Sequence, residues 1–139
     1  MSKIVLVNAM VLVNANDLSN HVQSVDIEGV RTEVDVTSMG DTNSEIVLGL
    51  GDVTVTVVVF NDYAAASIDS ILFPLWQTNT PFPIEIRPVN AARSTSNPAY
   101  TMTALLPTYA PINGAIGAAV TTSLAFRNAA QVGLQRLTA

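Results

Sequence analysis

The sequence has no cysteine, a single histidine, a single tryptophan and only 12% charged residues among its 139. Without cysteine there is no disulfide framework, no Cys–His nucleophile and no thiolate-built zinc site, and the chain suits assembly in a reducing cytoplasm. Basic residues are scarce, with 6 Lys and Arg against 11 acids for a net charge of −5. That balance argues against a broad basic surface for gripping nucleic acid. Long apolar runs are missing too. The longest, Ile46 to Phe60, is interrupted by Gly49, Gly51 and Asp52, and a membrane-spanning helix needs ~20 clean residues. No membrane-spanning segment is expected.

What the chain does contain is apolar: 49% of residues are hydrophobic and the mean hydropathy is +0.39. Such a chain is no disordered segment. Its length fits one domain over residues 1–139, which can bury roughly two-thirds of its unfolded surface. Charged residues usually make up ~25% of a soluble domain, so a subunit with about half of that is expected to hide much of its surface against other copies. Residues 1–70 carry 10 acids and 2 bases, for −8, whereas residues 71–139 carry 4 bases and 1 acid, for +3. An acidic half and a mildly basic half can attract one another head to tail between copies, or cancel within one fold.

Most of the chain reads as strand. Val53, Val55, Val57 and Val59 alternate with Thr54 and Thr56, a period of two in β-favouring residues. Val30, Val34 and Val36 oppose Arg31, Glu33 and Asp35, while Val25 and Ile27 have the other parity, which places a bulge near Glu28-Gly29. Further strands are expected at Lys3–Val13, Ile84–Val89, Tyr100–Leu106 and Ala118–Phe126. The first could also be read as a short signal peptide, but Asn8 and Asn14 break its apolar core. From Asp62, as N-cap, Ala64, Ile68, Ile71, Leu72, Leu75 and Trp76 recur at helical spacing, giving a helix over about 62–76 that Pro74 ends or kinks near Phe73. The expected fold is mainly β: a small β-sandwich or barrel of six to eight antiparallel strands with one flanking α-helix.

Chemistry is sparse. His21 has no Gly-x-Ser-x-Gly turn to serve and reads as an ordinary loop or strand-edge histidine. The pairs Asp26/Glu28 and Glu33/Asp35 could hold Ca²⁺ or exchange protons, but they also match a solvated strand face, and no calcium-loop spacing follows. Gly49-Leu50-Gly51-Asp52 lacks the third glycine and the helix of a phosphate loop and reads as a turn. Gly114-Ala115-Ile116-Gly117 reads likewise. Trp76 fits either a helix face packed on the sheet or an interface anchor. No catalytic, metal or cofactor site is expected, and the chain is read as a non-enzyme.

The order of the pieces is informative. Val34-Asp35-Val36-Thr37-Ser38-Met39-Gly40, followed by Val47-Leu48-Gly49-Leu50-Gly51-Asp52-Val53-Thr54-Val55-Thr56, resembles the central signature of tailed-phage tail tube (major tail) proteins. The helix after Asp62, the proline-bracketed Pro81-Phe82-Pro83-Ile84-Glu85-Ile86-Arg87-Pro88 and the closing Val120–Phe126 segment are similar to later parts of that family. The resemblance spans residues 22–130. It implies a structural subunit that forms rings, typically of six, stacked into a hollow tube through which a genome passes. It also implies a place in a virion tail assembled in the host bacterial cytoplasm, beside tape-measure and terminator or baseplate proteins. A secretion-tube ring protein of a contractile injection system is the nearest alternative, and a small-ligand-binding β-barrel a more distant one. Within the tube reading, the polar loop Ser38–Ser44, with Gly40, Asp41, Thr42 and Asn43, is expected to make ring-to-ring contacts. The carboxylates Asp26, Glu28, Glu33 and Asp35 are expected to face the lumen and keep DNA mobile by repulsion, with Arg31 paired to Glu33 or turned to a neighbouring copy.

Overall fold

A computed structural model describes residues 5–138. Eight strands run in the order β1 (Met10–Val13), β2 (Asn16–Asp17), β3 (Val22–Asp35), β4 (Ile46–Phe60), β5 (Phe82–Arg87), β6 (Ala99–Leu105), β7 (Thr121–Asn128) and β8 (Gln135–Leu137), with the helix α1 (Ile68–Thr78) between β4 and β5. They form one antiparallel sheet in the order β2-β1-β5-β6-β7-β4-β3, and β8 pairs with β6.

Alternation decides which face closes. Val55, Val57 and Val59 of β4, Leu124 and Phe126 of β7, Phe82, Ile84 and Ile86 of β5, and Val11 and Val13 of β1 are all buried in one cluster, and Thr122 of β7 is buried as well. Residues from strands right across the sheet share this core, so the sheet curls around it. Val25 and Ile27 of the edge strand β3 close the far side. Phe82 meets Phe126 edge to face, with ring centroids 5.8 Å apart, the geometry that the aromatic quadrupoles favour. Ile68 and Leu72 bury one face of α1 against the cluster, supported by Ile71 and Leu75. Phe73 and Trp76 remain half exposed on the other side.

Several expectations change. The helix begins at Ile68, because Asp62 instead organises the preceding turn: its carboxylate accepts from the Ala64 N–H (3.0 Å) and the Ser67 hydroxyl (2.8 Å). The helix runs through Pro74 to Thr78 and stops at Asn79, which is left-handed with φ 54°. Burial of Ile71, Leu72 and Leu75 on both sides of the proline offsets the lost hydrogen bond. The strand expected over Lys3–Val13 is confined to Met10–Val13; Lys3 and Ile4 lie outside the described residues, and Val5 to Ala9 run outside the ladder. Asn14 and Ala15, with φ 49° and 66°, form a two-residue hairpin turn into β2, as the twist of paired strands demands.

The phase slip falls elsewhere as well. Gly29 stays in register opposite Val53, and the shifts lie between Val22 and Ser24 and between Arg31 and Glu33. At the second, Thr32 alone faces both Gly49 and Leu50, so the glycine pair is a bulge inside a continuous β4 and not a turn. The Gly114–Gly117 segment does turn, with Gly117 at φ 90° and the Ala118 N–H donating to the Ala115 carbonyl.

Polar locks fix the loops. Tyr109 is buried, donates to Asp69 (2.7 Å) and receives the Asn61 amide (3.3 Å), tying the segment after β6 to the start of α1. Asn97 accepts from the Val89 N–H and donates to the carbonyls of Val89, Ala91 and Ala92. Glu85, buried on the outer face of β5, holds both Arg87 and Arg93.

Two outcomes are expected. Phe126→Ala lowers unfolding free energy by about 3–5 kcal/mol in urea titration, whereas Val34→Ala, half exposed on β3, changes the monomer by less than about 0.5 kcal/mol. Burial and the Asp69 hydrogen bond push the Tyr109 phenol from 10.0 up to about 12. Its contribution is therefore complete below pH 10 and is lost as the pH climbs towards 12. Tyr109→Phe is expected to remove that alkaline loss and to cost about 1–2 kcal/mol near neutral pH, read by thermal melts across the range.

Candidate assembly interface

The distal halves of β3 and β4 leave the core together. From Gly29 to Asp35 and from Ile46 to Asp52 almost every residue is exposed, although the ladder between them is unbroken except for the Thr32 bulge. The result is a two-stranded arm. Pairing puts Val30 with Asp52 and Val34 with Val47 on one face, and Arg31 with Gly51, Glu33 with Leu48 and Asp35 with Ile46 on the other. Apolar side chains therefore project from both faces, and Leu50 is 88% exposed. A two-stranded ribbon with no sheet behind it is marginal in water, and exposed apolar surface of this kind marks an interaction site.

The arm's apex is ordered by its own short polar side chains. Asp41 accepts from the Ser38 N–H (2.7 Å) and hydroxyl (3.0 Å), while the Asp41 N–H returns a bond to the Ser38 carbonyl (3.1 Å). Gly40 takes φ 98°, a conformation that glycine adopts without strain. The Thr37 hydroxyl accepts from the Glu45 N–H (2.8 Å), and the Val36 N–H donates to the Glu45 carbonyl. Thr37 also holds the Asp35 carboxyl below its ordinary range, by side-chain and backbone hydrogen bonds. Met39 stands fully exposed at the tip.

The carboxylates singled out in the sequence divide. Because β3 alternates without slip from Ser24 to Asp35, Asp26 and Glu28 point to the face opposite Glu33 and Asp35. Asp26 and Glu28 sit opposite Thr56 and Thr54, on the outer side of the sheet. All four are exposed. Arg31 makes no ion pair among the described residues, with Glu33 or any other carboxylate; the exposed pair beside it is Asp52 with Arg127 (2.7 Å). His21 lies 3.4 Å from Asp62. The Ala64 N–H and the Ser67 hydroxyl, and then the charge of His21, hold Asp62 below the ordinary carboxylate range. Among the described residues, no group of three or more His, Asp or Glu could hold a metal ion, and no helix is long and apolar enough to cross a membrane.

Sequence reasoning identified the polar tip and missed the apolar flanks. Ile46, Val47, Leu48 and Leu50 belong to the apolar run Ile46–Phe60, and the structure leaves all four exposed. The available signal was the run Ile46-Val47-Leu48, where consecutive apolar residues fall on both faces of a strand, which no one-sided sheet requires. A groove opens at the arm's base, between Gly29–Arg31, Leu50–Val53 and the 128–134 segment, with a volume of about 780 Å³.

No protein-family model matches the sequence, and a search of curated proteins finds no match. Solved structures do match. A chain of the SPP1 tail tube superposes with a TM-score of 0.73 at 11% identity, over 95% of this chain and 77% of that one. A chain of the sheath/tube terminator of an extracellular contractile injection system, in its extended state, gives 0.72 at 12% identity over 98% and 97%. The tail of an empty gene transfer agent particle, refined with C6 symmetry, gives 0.66 at 14% identity over 86% and 83%. The curled antiparallel sheet with its flanking helix is thus a fold that this chain shares with a tail tube chain and with a sheath/tube terminator chain of a contractile injection system.

Proposed function

We propose that the protein is a structural, non-catalytic subunit of a phage tail tube, assembling into rings of six that stack into a hollow conduit for genome delivery. The observation that carries this reading is the arm: a two-stranded ribbon with apolar side chains on both faces, on a fold shared with tube chains over nearly its whole length. The outer edge of β3, which pairs with no strand among the described residues, supports ring closure, since a neighbouring copy can complete it and remove a free edge. The apex loop, with Gly40, Asp41, Thr42 and Asn43, makes the ring-to-ring contact. Asp26 and Glu28, exposed among threonines on the outer side of the sheet, face the lumen, where negative charge keeps a duplex from adhering. Glu33 and Asp35 project from the arm's other face and belong to the contact between copies. In this reading the protein resides in the virion tail, is assembled in the host cytoplasm, and meets tape-measure, terminator and baseplate proteins at the tube's interior and ends.

A second reading is favoured by the match to the contractile injection system terminator over 98% of this chain: the same subunit as the inner tube of a secretion device. Electron microscopy of particles from the producing cell separates the two, by a genome-filled head in one case and its absence in the other.

The wild-type protein is expected to form tubes at high concentration in negative-stain micrographs. Deleting Asp41–Asn43 is expected to abolish tubes while leaving circular dichroism and the melting transition of the monomer in place. A monomer at every salt and protein concentration, by light scattering, contradicts the assembly reading; intact tubes after the deletion contradict the role of the loop.

A further inference from the structure

The groove at the base of the arm has a defined chemistry. It is lined by Val30, Leu50, Val53, Val132 and Leu134 together with Arg31 and Asp52. Asp52 is taken up by Arg127 at 2.7 Å, which leaves Arg31 as the lining charge without a partner among the described residues. Val132 is exposed and Leu134 only partly covered. Arg31 is an exposed cation in the acidic half of the chain, with no carboxylate partner among the described residues. An occupant should therefore bring an apolar tip with negative charge behind it.

The arm's own apex has that composition. Met39 is fully exposed at the end of an internally hydrogen-bonded loop. The arm that leads to it carries Glu33, Asp35, Asp41 and Glu45, with no basic residue anywhere from Thr32 to Asp52. The arm cannot fill its own groove. At ~3.3 Å per residue in an extended ladder, the apex lies about 25–30 Å from Arg31 along a paired ribbon, and folding back would break that ladder.

Resting on the tube reading above, we infer that the arm apex of one copy seats in the arm-base groove of a second copy, with Met39 against Val132 and Leu134 and the apex carboxylates beside Arg31. Every copy then offers one apex and one groove. The contact is heterologous, so it propagates from copy to copy and cannot terminate in a pair. Charge complementarity selects this occupant over an unrelated apolar segment.

The absence of native cysteine permits a clean test on the full-length chain. In Met39→Cys/Val132→Cys, mild oxidation with diamide after assembly is expected to give a ladder of covalent multimers extending past dimer on a non-reducing gel. Each single-cysteine variant is expected to give no ladder. Arg31→Glu and Glu45→Arg, both at exposed positions, are each expected to reduce pelletable tube at least tenfold. The double variant Arg31→Glu/Glu45→Arg is expected to recover it. Tubes that assemble but yield no cross-link or only dimers, or a double variant no better than either single one, overturn the inference while leaving the tube reading intact. Failure of the wild-type chain to assemble overturns the tube reading itself.

Discussion

The continuous backbone ladder between β3 and β4 is the constraint on which the rest of the structure depends. Its inner half is anchored, because Val55, Val57 and Val59 are buried and Val25 and Ile27 close over them. Its outer half has no sheet to pack against, yet the same strands carry it away from the core with only one bulge, at Thr32 opposite Gly49 and Leu50. A strand of 15 residues is long for a domain of this size. The buried half fixes the direction of the exposed half, and the paired strands carry the arm away from the core. Apolar residues placed on both faces of such an arm destabilise an isolated monomer in water and stabilise an assembly.

The remaining polar interactions serve this geometry by keeping everything else still. Glu85 neutralises two arginines in a half-dry setting, where removing the carboxylate alone leaves charge without a partner. Asn97 satisfies four backbone groups of the loop after β5. Tyr109 and Asn61 join the chain after β6 to the entrance of α1. These locks hold the loops, while exposed apolar surface remains at Val5 to Val7, on the arm, at Phe73 and Trp76 of α1, at Ile112 and Ile116, and at Val132 beside the groove.

The alternation of Val53 to Val59 with threonine was enough to place β4 and its buried side, and Thr122, Leu124 and Phe126 marked β7 in the same way. The helix was legible from Ile68, Leu72 and Leu75, but its start was not. Asp62 carries the signature of a cap wherever it binds backbone N–H groups, and only the three-dimensional turn shows that it caps a loop six residues early. Local glycine reasoning failed at Gly29 and Gly49-Leu50-Gly51 for a related reason: a bulge belongs to a strand pair, and its position depends on the partner's register. The same dependence hid the division of Asp26 and Glu28 from Glu33 and Asp35. The surplus of apolar surface was visible from composition, and the structure places much of it on the arm.

The central claim is that the arm is an intersubunit element. Cryo-electron microscopy of the assembled protein tests it directly. The account predicts density in which the β3–β4 arm of each subunit crosses into the neighbouring ring, with Met39, Leu48 and Leu50 covered. An assembly in which the arm projects freely into solvent, with those side chains uncovered, would contradict it.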